Sequence, residues 1–217
     1  MPQQKFKIQN QELLLLPERA IFWSEEKTII VSDLHFGKAA HFRKSGIAIS
    51  DEIFFNDMIH LDKIMHQYDA QQLLVVGDMF HSSFNNEVNF FKLWQEHTNH
   101  FDVVLVKGNH DIMNDEIYDH LNIEVRNSKL EIGNLVFVHE PIADNEIEKD
   151  KFYFFGHVHP KAVMKGAGNQ HLSLPCFYFT PNTCTLPAFS QFSGGFKIKP
   201  KKGDCVFVIA GKEVIKI

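Results

Sequence analysis

Residues 103–111 read VVLVKGNHD, an apolar run that ends in the polar triplet Asn109, His110 and Asp111. Four consecutive apolar residues, three of them β-branched, predict a short buried strand. Gly108 lets the backbone turn tightly after that strand. The stretch therefore predicts a strand end that presents three polar side chains at one point, which is either a loop tip or the floor of a site.

Four other apolar runs end in the same way. The polar residues that follow them are Asp33 and His35 in TIIVSDLH, Asp78 and His81 in LLVVGDMFH, His139 in LVFVHE, and His157 and His159 in FYFFGHVH. Functional groups of α/β sheets gather at the carboxyl ends of the strands. We therefore predict that five strand ends deliver these groups to one rim, with Gly77, Gly108 and Gly156 allowing tight turns beside them.

The rest of the chain predicts an α/β fold in a single domain spanning residues 1–217. Strands are predicted at 20–23, 28–31, 73–76, 103–106, 135–138, 152–155, 176–179 and 205–209. Ser50 is expected to cap a helix with Asp51 and Glu52 in its first turn. Apolar residues at spacings of three and four from Phe54 to Tyr68 are expected to form one face of this helix. A second helix is expected over 86–99, with Val88, Phe91 and Trp94 facing inward, and a shorter one after Asn114. Strands and helices alternate in the first half and strands dominate the second, which predicts two packed sheets with helices outside.

The residue types at the rim predict a divalent metal site. Asp, Asn and His offer oxygen and nitrogen donors suited to Mn, Fe or Zn, whereas a closed structural zinc site would use Cys. In an extended segment alternate side chains lie on the same side, so Asp33 and His35 are expected to hold one ion. By the same geometry His157 and His159 are expected to reach the same cluster as Asp33 and His35, and Asp78 could bridge two ions.

Composition limits the other possibilities. The formal net charge of -5 argues against a uniformly positive surface that wraps nucleic acid, although a local basic groove stays open. The three cysteines form no CxxC pair and are interpreted as reduced thiols. The run Leu13–Leu16 is followed by Pro17 and is too short for a signal-peptide core or a membrane span. We therefore expect a cytoplasmic protein without a membrane partner.

The five motifs in this order resemble the calcineurin-like metallophosphoesterases, whose pattern D-x-H, G-D, G-N-H-D, H and G-H-x-H appears here as DLH, GDMFH, GNHD, His139 and GHVH. The resemblance implies a four-layer α/β-β/α sandwich that holds two divalent metal ions, Mn first, with Fe, Zn or Mg as alternatives. It assigns Asp33, His35 and His159 to one ion. It assigns Asn109, His139 and His157 to the other ion and gives Asp78 a bridging role. It also makes His110 the catalytic histidine, with Asp111 placed to orient it.

Segments from about Pro17 to Gly195, such as PERAIFW and LPAFSQFSGG, are similar to the bacterial group called ligase-associated DNA damage response endonuclease, PdeM. This resemblance implies a phosphodiester substrate, DNA among the candidates, and association with DNA ligase and helicase. The chain has GDMFHSS where protein Ser/Thr phosphatases have an Arg after the second motif, which argues against phosphoprotein phosphatase activity. A small-molecule or nucleotide phosphatase and a metal-stabilised scaffold stay open as alternatives, and the oligomeric state is undetermined.

Several residues near the motifs have two interpretations. Lys38, His41, Arg43 and Lys44 follow the first motif and either contact substrate phosphate or form a solvated charged face. His81 either lines the substrate pocket or supports a neighbouring side chain, and we favour the pocket. The cations Lys197, Lys199, Lys201 and Lys202 either meet a DNA backbone or protect a strand edge from aggregation.

Overall fold

The computed structural model describes residues 3–44, 46–50, 52–81, 86–98, 101–166, 168 and 170–217. The four α-helices found in this part of the chain are α1 (Lys38–Lys44), α2 (Glu52–Gln67), α3 (Asn86–His97) and α4 (Asp115–His120). The strands of the first half are β1 (Gln4–Ile8), β2 (Gln11–Leu16), β3 (Ala20–Trp23), β4 (Thr28–Val31), β5 (Gln72–Val76), β6 (Asp102–Val106) and β7 (Ile123–Arg126). Those of the second half are β8 (Leu130–Ile132), β9 (Leu135–Val138), β10 (Phe152–Phe155), β11 (Pro160–Lys165), β12 (His171–Phe179), β13 (Thr183–Thr185), β14 (Phe196–Lys197), β15 (Cys205–Ala210) and β16 (Glu213–Lys216).

The first sheet contains seven strands in chain order, β1 to β7. Strands β1 to β4 pair antiparallel through short turns, and β4 to β7 pair parallel. Each parallel step needs a crossover connection, and helices lie in all three of these connections. Because β4, β5 and β6 are parallel, their carboxyl ends lie at the same edge of the sheet.

The second sheet contains nine strands, with β14-β11-β12-β13-β10-β9-β8 along its main path. Off this path, β15 pairs with β12 and β16 pairs with β15. Its centre is parallel, since β10 pairs parallel with both β9 and β13. The carboxyl ends of β9, β10 and β13 therefore also share an edge. The strand runs VVLV, LVFV and FYFF are each almost entirely buried, as their apolar sequences predict.

The main core lies between the two sheets. Ile21, Ile30 and Val104 of the first sheet belong to the same buried cluster as Phe137 and Phe154 of the second. A second buried cluster joins the other face of the first sheet to α2, α3 and α4. The mixed α/β fold with two sheets is thus confirmed.

The expected helical layer over the second sheet is not found among the described residues. The buried clusters on the outer face of that sheet contain strand residues together with Ile142 and Ile147, which lie in the segment around a short 3-10 helix at Asp144–Glu146. All four described α-helices precede the second sheet in the chain. The four-layer sandwich is therefore not confirmed.

The two helices predicted from apolar periodicity are confirmed as α2 and α3, and their ends agree with the predicted ends within two residues wherever those ends are described. The Ser50 hydroxyl accepts a hydrogen bond from the Glu52 backbone N–H at 3.2 Å, which is the predicted cap, while Asp51 and Asn99 lie outside the described residues. Helix α1 was not predicted, since its seven residues are too few to show periodicity. No helix in the described ranges has the length and apolar character needed to cross a membrane.

Candidate metal centre

The loops that follow the parallel strands of both sheets meet at one rim. The loop after β4 runs beside the loop after β5, with the Asp33 N–H donating to Gly77 O at 3.0 Å and the His35 N–H donating to Asp78 O at 2.9 Å. The loop after β10 joins them from the second sheet, because the His157 N–H donates to Asp33 Oδ2 at 3.1 Å. The polar residues at five strand ends are therefore brought together, although Asp33 and His157 are separated by 124 positions in the chain.

A first group of potential metal ligands consists of Asp33, His35 and His159, whose ligand atoms lie within 4.8 Å of one another. Asp33 is fully buried and its Oδ1 lies 2.9 Å from His159 Nε2. His35 is 5% exposed, and neither of its ring nitrogens has a hydrogen-bond partner in the described structure. We refer to these three residues as the first group.

A second group consists of Asp78, His139 and His157, again with ligand atoms within 4.8 Å of one another. His139 Nε2 lies 3.4 Å from Asp78 Oδ2 and 3.3 Å from His157 Nδ1. Asn109 completes the arrangement, because its Oδ1 lies 3.3 Å from His139 Nε2 and 3.1 Å from His157 Nδ1. These distances place four oxygen and nitrogen donors around one point.

The backbone at the rim differs from the sequence-based expectation. Asp33 and His35 have φ of 55° and 50°, and His157 and His159 have φ of 63° and 49°, so neither segment is extended. His157 and His159 lie in different groups at the same rim, and the extended geometry expected for them is not found. Left-handed backbone is unfavourable for residues with a Cβ and is concentrated at functional sites. Here it turns consecutive segments so that their side chains point in different directions.

Two glycines leave the space that these side chains occupy. A Cβ on Gly77, whose φ is +79°, would lie 2.0 Å from His139 Nδ1. A Cβ on Gly108 would lie 2.3 Å from Asp78 Oδ1. At Gly77 the predicted tight turn occurs together with a steric requirement for glycine. At Gly108 only the steric requirement is found. A larger residue at either position would displace a potential ligand of the second group.

The charge states of the two groups differ. Burial, together with the nearby Lys38, lowers the pKa of His35 to about 3, so the ring is neutral and one of its nitrogens is free to bind a cation. Burial also opposes the charged forms of Asp78 and His139, but their mutual hydrogen bond and attraction prevail, giving pKa values of about 2 and 9. The His139 Nδ1 lies 3.1 Å from Val76 O, which leaves Nε2 directed at the other donors.

These observations together show that the residues present suit two divalent cations. Buried, unpartnered nitrogens such as those of His35 are costly unless something binds them. The donors are carboxylate, amide and imidazole groups without a thiolate, as expected for Mn, Fe or Zn. Asp78 connects the two groups, since its carboxylate faces His139 in the second group and its carbonyl accepts the His35 N–H from the first.

His110 lies next to both groups without belonging to either. Its ring centroid is 5.5 Å from that of His35 and 4.4 Å from that of His81, and its backbone N–H donates to Asp78 Oδ1 at 2.9 Å. The half-buried ring therefore stands at the rim, where a leaving group on a bound phosphate could contact it.

Asp111 has a different role from the one expected. Its Oδ1 accepts the Phe80 N–H at 3.0 Å and its Oδ2 accepts the Gly108 N–H at 2.9 Å. A buried carboxylate requires such donors, and both oxygens are used for backbone groups. Burial raises the pKa of Asp111 to about 6 despite these bonds. Asp111 therefore ties the loops after β5 and β6 together, and the expectation that it orients the His110 ring is wrong.

The candidate substrate-binding residues divide into two kinds. Lys38 is half-buried beside the groups, and the pKa of its ammonium is lowered by burial although Asp33 and Asp78 oppose this. His81 packs on His110, and burial together with His110 lowers its pKa to about 4. Arg43 instead lies 3.8 Å from Glu87 and donates to Ile49 O, so it would have to leave these contacts to bind phosphate. The side chain of Lys44 lies outside the described residues.

Sequence patterns missed the contribution of residues 186–190 to the rim. This segment follows β13, and the Phe189 and Ser190 N–H groups donate to Ser32 O at 2.9 Å and Asp33 O at 3.4 Å. It therefore fixes the backbone from which Asp33 projects. Strand β13 has only three residues, Thr183–Thr185, and lacks the apolar run that identified the other strands.

Comparison with solved structures gives a strong structural similarity. The chain has 27% sequence identity to Pseudomonas putida nuclease MPE, and the TM-score to the crystal structure of that protein is 0.82. The alignment covers 98% of this chain and 100% of that one. A protein of unknown function from Aquifex aeolicus, AQ665, is 18% identical with a TM-score of 0.45, over 65% of this chain and 82% of that one, which is too distant to support an inference. No family model and no curated protein matches the chain. The first similarity supports a metallophosphoesterase-like fold.

Proposed function

We propose that this chain is a divalent-metal-dependent phosphodiesterase that cleaves nucleic acid, with DNA as the expected substrate. The observation that carries the proposal is the meeting of two Asp/His groups at one rim, with Asp78 beside both. The motif order, which resembles the calcineurin-like metallophosphoesterases, and the similarity over nearly the whole chain to a protein described as a nuclease support it.

Each group would hold one cation. Asp33, His35 and His159 are the proposed ligands of one ion, Asn109, His139 and His157 those of the other, and Asp78 is proposed to contact both. When bound, two such ions activate a water as nucleophile near neutral pH and offset negative charge on the phosphate oxygens. We propose Mn²⁺ for both positions.

The other side chains at the rim would bind the phosphate and move a proton. Lys38 stands beside both groups and provides a positive charge for a phosphate oxygen. A ring nitrogen of His110 would donate a proton to the leaving oxygen as general acid. The His81 ring, 4.4 Å from that of His110, would restrict rotation of the His110 side chain.

The finer proposals follow from the resemblance to the PdeM group. We propose that the chain is one domain, acts in the cytoplasm and works alongside DNA ligase and helicase in repair. Co-purification of tagged chain with ligase or helicase from the native host would support this association.

The central experiment measures hydrolysis by metal-stripped protein after addition of Mn²⁺. We expect bis-p-nitrophenyl phosphate to be cleaved faster than p-nitrophenyl phosphate, and supercoiled plasmid to be nicked. Asp78→Asn should lower these rates at least about a hundredfold, since even outer partners of metal ligands account for about 10–100-fold. Asp119→Asn, on the exposed surface of α4, is the matched control and should keep full activity.

The same assay separates the alternatives. Preference for the monoester would indicate a small-molecule phosphatase. Absence of hydrolysis with Mn²⁺, Fe²⁺, Zn²⁺ and Mg²⁺ would leave the metal-stabilised scaffold.

A further inference from the structure

Two segments that lie far apart in the chain meet through one arginine. Arg19 belongs to the stretch PERAIFW, and its Nη1 atom donates hydrogen bonds to Ser190 O at 3.0 Å and to Ala188 O at 3.3 Å. Both acceptors belong to the stretch LPAFSQFSGG, which begins directly after β13. Arg19 has no role in the proposed function so far, although this contact joins a turn of the first sheet to the 186–190 segment at the rim.

The 186–190 segment holds the loop that follows β4 through three hydrogen bonds. The Phe189 N–H donates to Ser32 O at 2.9 Å, and the Ser190 N–H donates to Asp33 O at 3.4 Å. The Ser32 hydroxyl donates in the other direction, to Pro187 O at 3.4 Å. All three bonds reach Asp33 or the residue before it. The position of the segment therefore sets the position of Asp33, a proposed metal ligand of the first group.

Asp33 needs such support because its backbone is left-handed. Its φ of 55° is unfavourable for a residue with a Cβ, and conformations of this kind persist only where the surroundings enforce them. The Asp33 N–H donates to Gly77 O at 3.0 Å, and its carbonyl accepts the Ser190 N–H. Without the 186–190 segment the second restraint would be lost, and the Asp33 carboxylate would be free to turn away from His159.

The Arg19 guanidinium is suited to hold this segment. Ala188 and Ser190 are each 4% exposed, so their carbonyl groups need a donor from within the protein. Burial lowers the pKa of Arg19, whereas the negative charge of Asp57 opposes this shift. Hydrogen bonds from a partly desolvated cation are stronger than those between neutral groups. One side chain therefore satisfies two acceptors in a segment that is not part of a strand.

The position from which the Arg19 side chain projects is itself fixed. Its N–H donates to Leu16 O at 3.1 Å in the turn between β2 and β3. Beyond the segment, the buried Asp57 of α2 accepts the Gln191 N–H at 3.5 Å. Loss of the guanidinium would leave Asp57 holding only the residue that follows the segment, which does not contact the loop after β4 through its N–H.

We propose that Arg19 is a positioning residue for the first group: its guanidinium fixes the 186–190 segment, which in turn fixes the backbone of Asp33. The inference rests on the proposed function, because it takes the first group as a cation site. It assigns Arg19 no contact with substrate, metal or the reacting atoms. Loss of the guanidinium should therefore weaken cation binding at the first group and leave the second group unchanged.

The test measures Mn²⁺ binding to metal-stripped protein by isothermal titration calorimetry. We expect two sites in the wild type. Arg19→Gln should weaken one of them about tenfold, the lower end of the roughly 10–100-fold effect of residues that orient metal ligands. Arg19→Lys keeps a charge but not the planar fork of donors, so it should weaken the same site by a smaller factor. The lysine variant decides the test if the glutamine variant does not fold.

Lys27→Gln is the matched control. Lys27 also has a left-handed backbone, with φ of 48°, and lies in the turn between β3 and β4 of the same sheet. Its ammonium group pairs with the exposed Asp69 at 3.3 Å. Because this pair has no contact with the rim, Lys27→Gln should bind Mn²⁺ at both sites as the wild type does.

His35→Leu identifies the site on which Arg19 acts. This variant removes a proposed ligand of the first group and should leave one Mn²⁺ site. Adding Arg19→Gln to it should not weaken the remaining site, because two changes that act on one site are not additive. Weakening of the remaining site would overturn the inference, since Arg19 would then act on the second group or on the whole fold.

Hydrogen exchange of metal-free protein reports on the segment itself. In Arg19→Gln the Phe189 and Ser190 amides should exchange about tenfold faster or more, as expected for the loss of a hydrogen bond from a charged group. Amides of β6 should keep their wild-type rates, which also shows that the variant is folded. Unchanged exchange at the two amides, or equally faster exchange in β6, would contradict the positioning role.

The outcomes separate this inference from the proposed function. Wild-type protein that binds two Mn²⁺ ions but hydrolyses no phosphodiester would reject the function, while weakening of one site by Arg19→Gln would keep the positioning role. Hydrolysis by the wild type together with unchanged Mn²⁺ binding in the folded Arg19 variants would reject the positioning role alone. Wild-type protein that binds no Mn²⁺ would reject both.

Discussion

The two groups at the rim are built from similar residues but differ in how far the protein satisfies them. In the second group His139 Nε2 lies within hydrogen-bonding reach of Asn109 and His157 and 3.4 Å from the Asp78 carboxylate. In the first group the buried His35 ring has no hydrogen-bond partner in the described structure. The second group is therefore a formed polar network, whereas the first contains an unmet bonding requirement.

This difference predicts different responses to cations. A cation at the first group would satisfy nitrogens that the fold leaves unpaired, and the free energy gained there would stabilise the folded chain. A cation at the second group would have to replace existing contacts, including the proton that His139 holds with a pKa of about 9. Four predictions, in order of decreasing expected effect, test this comparison.

Gly77→Ala is expected to have the largest effect, because it breaks the second group directly. The new Cβ would overlap the His139 ring, and the φ of +79° is unfavourable for alanine. Overpacking costs up to about 3 kcal/mol, and a left-handed backbone at a residue with a Cβ costs about 1–2 kcal/mol. Together these costs predict that the free energy of unfolding falls by about 5 kcal/mol. Urea unfolding of metal-free protein measures this loss.

Gly133→Ala is the matched control for that variant. Its φ is +57°, and nothing lies within 4 Å of the added Cβ. Only the backbone cost of about 1–2 kcal/mol should appear. Equal losses at the two positions would show that contact with His139 does not make Gly77 special.

His139→Leu and His35→Leu compare the two groups in the absence of metal. His139→Leu leaves the buried Asp78 without its side-chain partner and should cost about 3–5 kcal/mol in EDTA. His35→Leu removes nitrogens that have no partner, so metal-free stability should stay unchanged or rise. The same variant should lose the increase in Tm that Mn²⁺ gives the wild type. A large loss of metal-free stability in His35→Leu would contradict the comparison.

Asp57→Asn separates the pH dependence of the fold from that of the metal centre. Burial raises the pKa of Asp57 to about 6, although contacts with Ser190, Gln191 and Arg19 oppose the shift. Because the folded pKa exceeds the ordinary value of 3.8, the folded chain binds this proton more tightly and loses stability as pH rises from about 4 through 6. The loss amounts to roughly 2–3 kcal/mol.

Asparagine carries no charge, so the variant should flatten this part of the stability–pH curve. Urea unfolding at pH 4, 5, 6 and 7 provides the curve, measured in EDTA to exclude metal effects. An unchanged slope between pH 4 and 6 would assign the titration to another group.

Lys38→Gln is expected to have the smallest effect, since Lys38 lies beside both groups without contributing a ligand. KM for bis-p-nitrophenyl phosphate should rise about tenfold, as expected for one charge-assisted hydrogen bond. Metal content, measured by elemental analysis, should stay at the wild-type level. Lys63→Gln on the exposed surface of α2 is the control. Loss of bound metal in Lys38→Gln would show that the lysine supports the groups themselves.

The strands and the longer helices could be predicted from the sequence because their signals are local. Apolar runs such as those at 28–31 and 152–155 match β4 and β10 at both ends. Periodic apolar residues located α2 and α3. Elements without such a signal, including α1 and the three-residue β13, were missed.

The grouping of the site residues could not be derived from the residues alone. Alternation along an extended strand was expected to bring His157 and His159 to the cluster, whereas both have positive φ angles and lie in different groups at the rim. Asp111 was expected to act on the adjacent His110, and its carboxylate instead binds backbone N–H groups of two loops. Adjacency in sequence does not specify direction where the backbone leaves regular structure.

The sequence by itself determined which donors are present and that each follows a buried strand, because residue type and apolar runs are local properties. Only the tertiary structure decided which donors face one another, since this depends on the register of two sheets and on left-handed turns at Asp33, His35, Asp78, His157 and His159. The unpaired nitrogens of His35 likewise exist only after folding, because solvent must first be excluded around them.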